Sequence, residues 1–217
     1  MPRTFILTLG FDSSIVLRAI SRHGIGEGDR IVLVTSGTPH PKAESAVSEV
    51  KSFASRISSG IAVEVVSVEE HDFSGSVKTV CNIMSSEINR GENQLIVDTS
   101  GGPRIIGLAV YVAAGLCGLH SVWITTETRS KSLSLPVLVD SLDTVLPSRR
   151  QLELLRVLPA RPSVIARRLG VSRSAVSKML RSMEERGLIV RDGRVVRPSV
   201  KAEFLLEVMG DKDNTHS

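Results

Sequence analysis

The sequence predicts an α/β protein: a Rossmann-like, mostly parallel sheet with helices on both faces, followed by a C-terminal winged helix-turn-helix domain. Three observations carry this. Over residues 5–125, short apolar runs alternate with amphipathic helical stretches across short connections. The runs are continuously apolar, as strands are when both faces of a sheet are covered. Beyond Pro147 the pattern turns helical and basic and then closes on a hairpin.

Residues 5–9 are the first strand, and residues 13–22 place Ile15, Val16, Ala19 and Ile20 at helical spacing. A second strand covers 31–35. Residues 42–56 form an amphipathic helix with Ala43, Ala46, Val47, Val50, Phe53 and Ala54 on one side. Then follow a strand at 61–68, a helix at 77–89, a strand at 94–97, a helix at 105–116 and a strand at 122–125. Residues 133–139 are expected to add one more strand, whose place in the sheet the sequence does not specify. Residues 105–126 carry no Asp, Glu, Lys or Arg over a length able to span a bilayer. However, Gly107, Gly115 and Gly118 punctuate the stretch and His120-Ser121 interrupts it, so a buried helix and a buried strand account for the same residues. The first apolar run is too short for the core of a signal peptide. The expectation is a cytoplasmic chain with no membrane partner.

After Pro147-Ser148, helices are expected over 149–158, 163–169 and 173–186, with a break at 159–162, a Gly170-Val171-Ser172 turn and a stop at Gly187. Two apolar runs then flank Asp192-Gly193, a dipeptide favoured in two-residue hairpins. Residues 199–209 form a last helix. The expected domains are 1–140 and 149–210, joined by a linker at 141–148 and ending in a disordered tail at 211–217.

A net charge of +4 conceals an asymmetry: residues 1–146 carry 12 Lys+Arg against 15 Asp+Glu, whereas 147–217 carry 15 against 8. Such a split suggests that the second half meets a polyanion. Helix, helix, short turn, helix and hairpin is the order of a winged helix-turn-helix. Ser172 is placed to cap the third helix, which buries Val176, Leu180 and Met183 on one face. The other face holds Ser174, Ser177, Lys178 and Arg181, with Arg173 at its start. These are groups that contact phosphates and base edges in a major groove. Arg191, Arg194 and Arg197 decorate the hairpin, and Arg167 and Arg168 add to the field. The expected partner is double-stranded DNA.

In a doubly wound sheet, ligands bind beyond the carboxyl ends of the strands, where strand order reverses. Two strand ends are rich in small and hydroxyl residues. After the first strand come Leu9, Gly10, Phe11, Asp12, Ser13 and Ser14; after the fourth come Asp98, Thr99, Ser100, Gly101, Gly102, Pro103 and Arg104. Each offers backbone N–H groups, hydroxyls and a helix N-terminus to an anion, and Arg104 adds a cation suited to phosphate.

These two loops, Thr-Leu-Gly-Phe-Asp and Asp-Thr-Ser-Gly-Gly-Pro-Arg, resemble those of the archaeal CRISPR-associated CARF–winged-helix transcription regulators. The run from Ser172 to Ile189 is similar to the recognition helix of multidrug- and arsenic-repressor-type regulators. The resemblance covers about residues 3–205. It implies a homodimer that binds a cyclic oligoadenylate, most often cyclic tetra-adenylate, across its two-fold axis, with loops 9–14 and 99–104 as ligand contacts and no resident cofactor. Some relatives cleave the ring with a Ser or Thr and a Lys in these loops. Arg104 stands here where a Lys is common, and an arginine does not readily lose its proton but stabilises a leaving group's charge. The resemblance therefore implies a sensor, with a ring nuclease or a regulator sensing another small nucleotide as alternatives.

Other patterns do not support chemistry. Gly24-Ile25-Gly26-Glu27-Gly28 follows a helix and precedes a strand, the wrong place to hold a pyrophosphate. Asp98-Thr99-Ser100-Gly101 is similar to an aspartic-protease loop but has no second copy. Cys81 and Cys117 lack CxxC spacing, and His23, His40, His71, His120 and His216 lack ligand spacing, so neither a disulfide framework nor a metal site is expected. His40, between two prolines, is expected to be a solvent-facing loop residue.

Overall fold

The computed structural model describes residues 2–90, 94–126, 131–137 and 147–209. The expected end of the sixth strand (138–139), most of the expected linker (141–146) and the expected tail (211–217) lie outside the described residues. The chain divides into two compact units, Met1–Thr144 and Val145–Ser217.

The first unit alternates β1 (Arg3–Thr8), α1 (Ser13–His23), β2 (Arg30–Ser36), α2 (Pro41–Ile57), β3 (Ala62–Val68), α3 (Phe73–Asn89), β4 (Gln94–Asp98), α4 (Arg104–Leu116), β5 (Ser121–Thr125) and β6 (Ser132–Pro136). The sheet order is β3-β2-β1-β4-β5-β6. The first five strands are parallel, and β6 closes the edge antiparallel to β5 with Trp123 opposite Ser134.

Alternation along β1 assigns the two faces. Phe5, Leu7 and Leu9 join Val16, Ala19 and Ile20 of α1 and Val50 and Ala54 of α2 in one buried cluster. Full burial of each large apolar side chain contributes roughly 1.5–3 kcal/mol. Thr4, of the opposite parity, donates its hydroxyl to Glu87 of α3 at 2.8 Å, so the other face belongs to α3 and α4. The Glu87 carboxylate is buried but ion-paired with Arg90 at 2.7 Å and Arg30 at 3.1 Å, as burial of a charge requires. Helix α3 starts ahead of the expected residue 77. Ser74-Gly75-Ser76 shows no apolar periodicity, and the start is set instead by Asp72, which accepts from the Gly75 N–H at 2.8 Å.

The second unit contains α5 (Arg149–Arg156), α6 (Pro162–Leu169), α7 (Arg173–Glu185), β7 (Ile189–Asp192), β8 (Val195–Pro198) and α8 (Val200–Met209). Ser148 and Gln151 form a reciprocal capping box on α5. Gly170 ends α6 in the left-handed conformation, φ 64°, and turns the chain into α7. Ser172 caps α7, accepting from the Ala175 N–H at 3.2 Å. Val176, Leu180 and Met183 are buried beneath that helix, as their spacing predicts. The hairpin differs by one residue from the expectation. Asp192 pairs with Val195, so the turn is Gly193-Arg194 rather than Asp192-Gly193. Glycine takes the first central position, with φ +59°. This register buries Ile189 and Val196, and reciprocal backbone bonds between Val196 and Ala160, 2.9 and 3.1 Å, tie the hairpin to the segment before α6.

Candidate functional site

Strands β1 and β4 lie side by side, Leu7 opposite Asp98. The chain leaves β1 through α1 on one face and leaves β4 through α4 on the other. Such a switch point opens a crevice beyond the carboxyl ends of the strands. A cavity of about 490 Å³ lies there, within the roughly 300–1,000 Å³ usual for small-molecule sites. All four following loops line it: Leu9, Gly10, Phe11 and Asp12 after β1, Ser36, Thr38 and His40 after β2, Glu70 and His71 after β3, and Ser100, Gly102 and Pro103 after β4. Ile15 and Ala43 complete the wall.

The β1 and β4 loops touch backbone to backbone. A Cβ at Gly101 would fall 2.3 Å from the Thr8 carbonyl oxygen, and one at Gly10 would fall 2.8 Å from the Gly102 Cα. Gly102 also has φ +74°. Only glycine allows this approach.

The remaining loop residues hold the frame. Asp12 caps α1, accepting from the Ser14 N–H at 2.9 Å. The buried Ser13 hydroxyl donates to Glu49 of α2. Thr99 donates its N–H to the Trp123 carbonyl at 2.9 Å. Asp98 is 3% exposed; its Oδ1 accepts from the Ser100 N–H at 2.8 Å and from the Ser100 hydroxyl. The Ser100 Oγ in turn accepts from the Thr125 N–H at 2.7 Å. The Asp98 Oδ2 has no hydrogen-bond partner among the described residues and lies 3.7 Å from an Arg22 nitrogen. Burial pushes the Asp98 carboxyl above the usual carboxylate value, against the Ser100 hydrogen bonds and the charges of Arg22 and His23. Burial and the neighbouring Arg22 hold the His23 imidazole below its usual value, against the pull of Asp98. Arg104 is exposed at the first position of α4, next to the cavity-lining Pro103, with no ion pair among the described residues.

The structure adds residues that the sequence reading left out. His40 lies in the loop before α2, as expected, but it is half-buried and held rather than free in solvent. Its Nδ1 accepts from the Lys42 N–H at 3.2 Å, capping α2, and its ring stacks on Phe11 with centroids 4.2 Å apart and planes 31° from parallel. Ser36, Thr38, Glu70 and His71 also lack conspicuous motifs. One signal does point to them: in a parallel sheet every strand's carboxyl end lies on the same edge.

The second unit presents a cationic surface. Arg173, Ser174, Ser177, Lys178 and Arg181 are all exposed on α7. Arg181 donates to Glu185 at 3.1 Å, Arg191 pairs with Glu184 at 3.1 Å and Arg197 with Asp192 at 3.2 Å. Arg173, Lys178 and Arg194 have no acidic partner among the described residues. Ser172, although exposed, is engaged as the cap and contacts the Ser174 hydroxyl at 2.9 Å. Arg191 and Arg194 share a depression of about 370 Å³ with Arg161 and Ser163 at the start of α6; neither of the last two stands out in the sequence.

Residues 3–136 match the Csa3 CRISPR-associated Rossmann-like domain, more than half of the chain. The chain belongs to that family. Residues 148–196 match the MarR family, so a Csa3-type CARF domain precedes a MarR-type winged helix, the organisation of a CARF–winged-helix regulator. No curated protein matches the chain. Among solved structures, Enterococcus italicus Csm6 bound to cyclic hexa-2'-fluoro-hexa-dAMP is similar with a TM-score of 0.51 at 9% identity, over 85% of this chain and 55% of that one. Protein VC1899 from Vibrio cholerae gives 0.44 at 12% identity, over 95% and 64%. A type III CRISPR defence DNA nuclease activated by cyclic oligoadenylate gives 0.49 at 16%, over 96% and 33%. This Csa3-family chain thus spans less than two thirds of each of these proteins, and the likeness to Csm6 is one of fold.

Proposed function

We propose that this Csa3-family protein is a homodimeric DNA-binding transcription regulator of CRISPR-associated genes, cytoplasmic, whose effector is a cyclic oligoadenylate, above all cyclic tetra-adenylate. The observation that carries this reading is the meeting of the β1 and β4 loops, backbone against backbone, at the switch point of a chain that also bears an exposed basic recognition helix. The ligand-binding loops are residues 9–14 and 98–104: Gly10, Phe11, Ser100, Gly102 and Pro103 line the cavity, the buried Ser13 and Asp98 support it from beneath, and backbone N–H groups, the helix N-termini and Arg104 face the phosphodiesters. A ring with two-fold symmetry on the axis of a two-fold protein meets each protomer through an identical half. Leu108, 56% exposed and one turn beyond Arg104 on α4, supports a partner protomer covering that face. The Csm6 structure, with its cyclic oligonucleotide, supports the ligand class.

Ring binding biases the relative orientation of the two winged helices, and DNA affinity follows because the ligand favours one orientation over the other. Helix α7 enters the major groove, with the Gly193-Arg194 turn along the flanking phosphates and half-sites about 34 Å apart. Isothermal titration with cyclic tetra-adenylate tests the effector. One ring per two chains, recovered intact by chromatography, is the expected result. Absence of both heat and thermal shift in a folded dimer overturns the assignment, and linear di-adenylate products would replace the sensor with a ring nuclease.

A further inference from the structure

We propose that Phe11 and His40 form a stacking platform for a base of the effector, and that Glu70 selects a base carrying an exocyclic amine. This rests on the effector reading above and states how the base, rather than the phosphates, is read. Phe11 is 61% exposed, which alone says little, since single apolar side chains are common on surfaces. What matters is how the ring is held. It lies against His40, whose Nδ1 is fixed by the Lys42 N–H at the start of α2, so both rings are anchored to a helix terminus at the wall of the cavity. The cavity therefore has two kinds of wall. On one, Gly10, Gly102 and the first turns of α1 and α4 offer backbone donors and positive dipole ends to phosphate. On the other, the exposed Phe11 ring, backed by the His40 ring tilted 31° against it, presents with Ile15 and Ala43 an apolar surface, the partner of a base π-face.

Glu70 is the group that an anion site alone does not explain. The residue lines the same cavity, half-buried, and its carboxylate has no ion pair or hydrogen bond among the described residues. Facing a phosphodiester it would be repelled. As a carboxylate it only accepts hydrogen bonds, and the base-edge donor that adenine offers is its exocyclic amine, the ribose 2'-hydroxyl being the other donor of a ribonucleotide. Adenine presents that amine; hypoxanthine, with a carbonyl in its place, turns an acceptor toward the carboxylate. A site that hydrogen-bonds one group rejects the isostere lacking it because buried polar groups are left unpaired.

The experiment uses the full chain, cyclic tetra-adenylate and the same ring carrying one 2-aminopurine. Wild type is expected to bind and to quench the 2-aminopurine fluorescence. Phe11→Leu keeps apolar bulk without a π-face and weakens binding about tenfold or more, with quenching lost and the sedimenting species unchanged. Phe11→Trp restores both. His40→Asn retains an N-cap acceptor but removes the ring, and shows the same loss. Glu70→Gln narrows the preference for the adenine ring over its hypoxanthine counterpart. Binding and quenching unaffected by Phe11→Leu overturn the platform. So does a Phe11→Leu variant that sediments as a monomer, which makes Phe11 a protomer contact. A wild-type chain that takes up no ring overturns the effector reading and this one together.

Discussion

On the proposed function, the two units of the chain meet anions by opposite physical means. The first carries more acids than bases, yet its loops place backbone N–H groups and helix N-termini around a partly open cavity, where local geometry decides. The second carries nearly two bases per acid and presents them on exposed side chains, several tied up by weak pairs with their neighbours. Dipoles set in a cleft select shape and are less screened by salt; exposed cations select charge and are strongly screened. Net charge therefore predicts a partner for the second unit and says nothing about the first.

The sharpest way to break this contrast is salt. Between 50 and 200 mM, DNA affinity is expected to fall about 10³-fold if roughly six phosphates are neutralised, while ring affinity measured by titration changes less than about tenfold. Equal slopes would show that both sites work by bulk charge. Next in size is Gly101→Ala. The added methyl meets the Thr8 carbonyl at 2.3 Å, so the β1 and β4 loops must separate, at a cost of about 1–3 kcal/mol. Calorimetry should show lost stability and ring binding should drop by about a hundredfold, with nonspecific DNA affinity intact.

Charge pairing on α7 predicts a smaller effect. Lys178→Ala weakens DNA binding more than Arg181→Ala, because Arg181 first has to leave Glu185. Glu185→Gln raises affinity about two- to fivefold, the scale of an exposed ion pair, in a gel-shift titration. Least of all is a pH effect on stability. Asp98 holds its proton to higher pH in the folded chain than in the unfolded one. It therefore stabilises the fold fully at low pH, below the unfolded value, and that contribution is lost as pH rises through the raised folded value. Melting temperatures of Asp98→Asn relative to wild type should rise between pH 4 and 7. Asp29 slopes the other way: burial would raise its carboxyl, but the hydrogen bonds and charge of Arg3 hold it low, so its contribution is lost as pH falls. It is common to both proteins and cancels in the comparison.

The elements that periodicity marks, such as α2 with its apolar stripe and β2 with its unbroken apolar run, were legible because burial imposes that pattern on the chain. Where local chemistry overrides periodicity, the reading slipped. Helix α3 begins at a capping Asp72 inside a run of small polar residues. The hairpin turn sits on Gly193-Arg194, with Asp192 already paired to Val195, and reciprocal backbone bonds between Val196 and Ala160 tie this register to the segment before α6. In the site, the glycine-rich loops announced themselves as letters, and the His40 side chain did not. Its ring contact depends on Phe11, a neighbour 29 residues away in sequence.

By itself the sequence determined the alternation of strands and helices, the split in charge and the two loops rich in glycine and hydroxyl residues. Each follows from local rules: apolar period, capping chemistry and the absence of a side chain at glycine. Tertiary structure alone decided that β1 and β4 are neighbours, that β6 runs antiparallel at the edge and that four separate loops line one cavity. Those are consequences of strand pairing between distant segments, whose free energy lies in contacts that no single stretch of chain encodes.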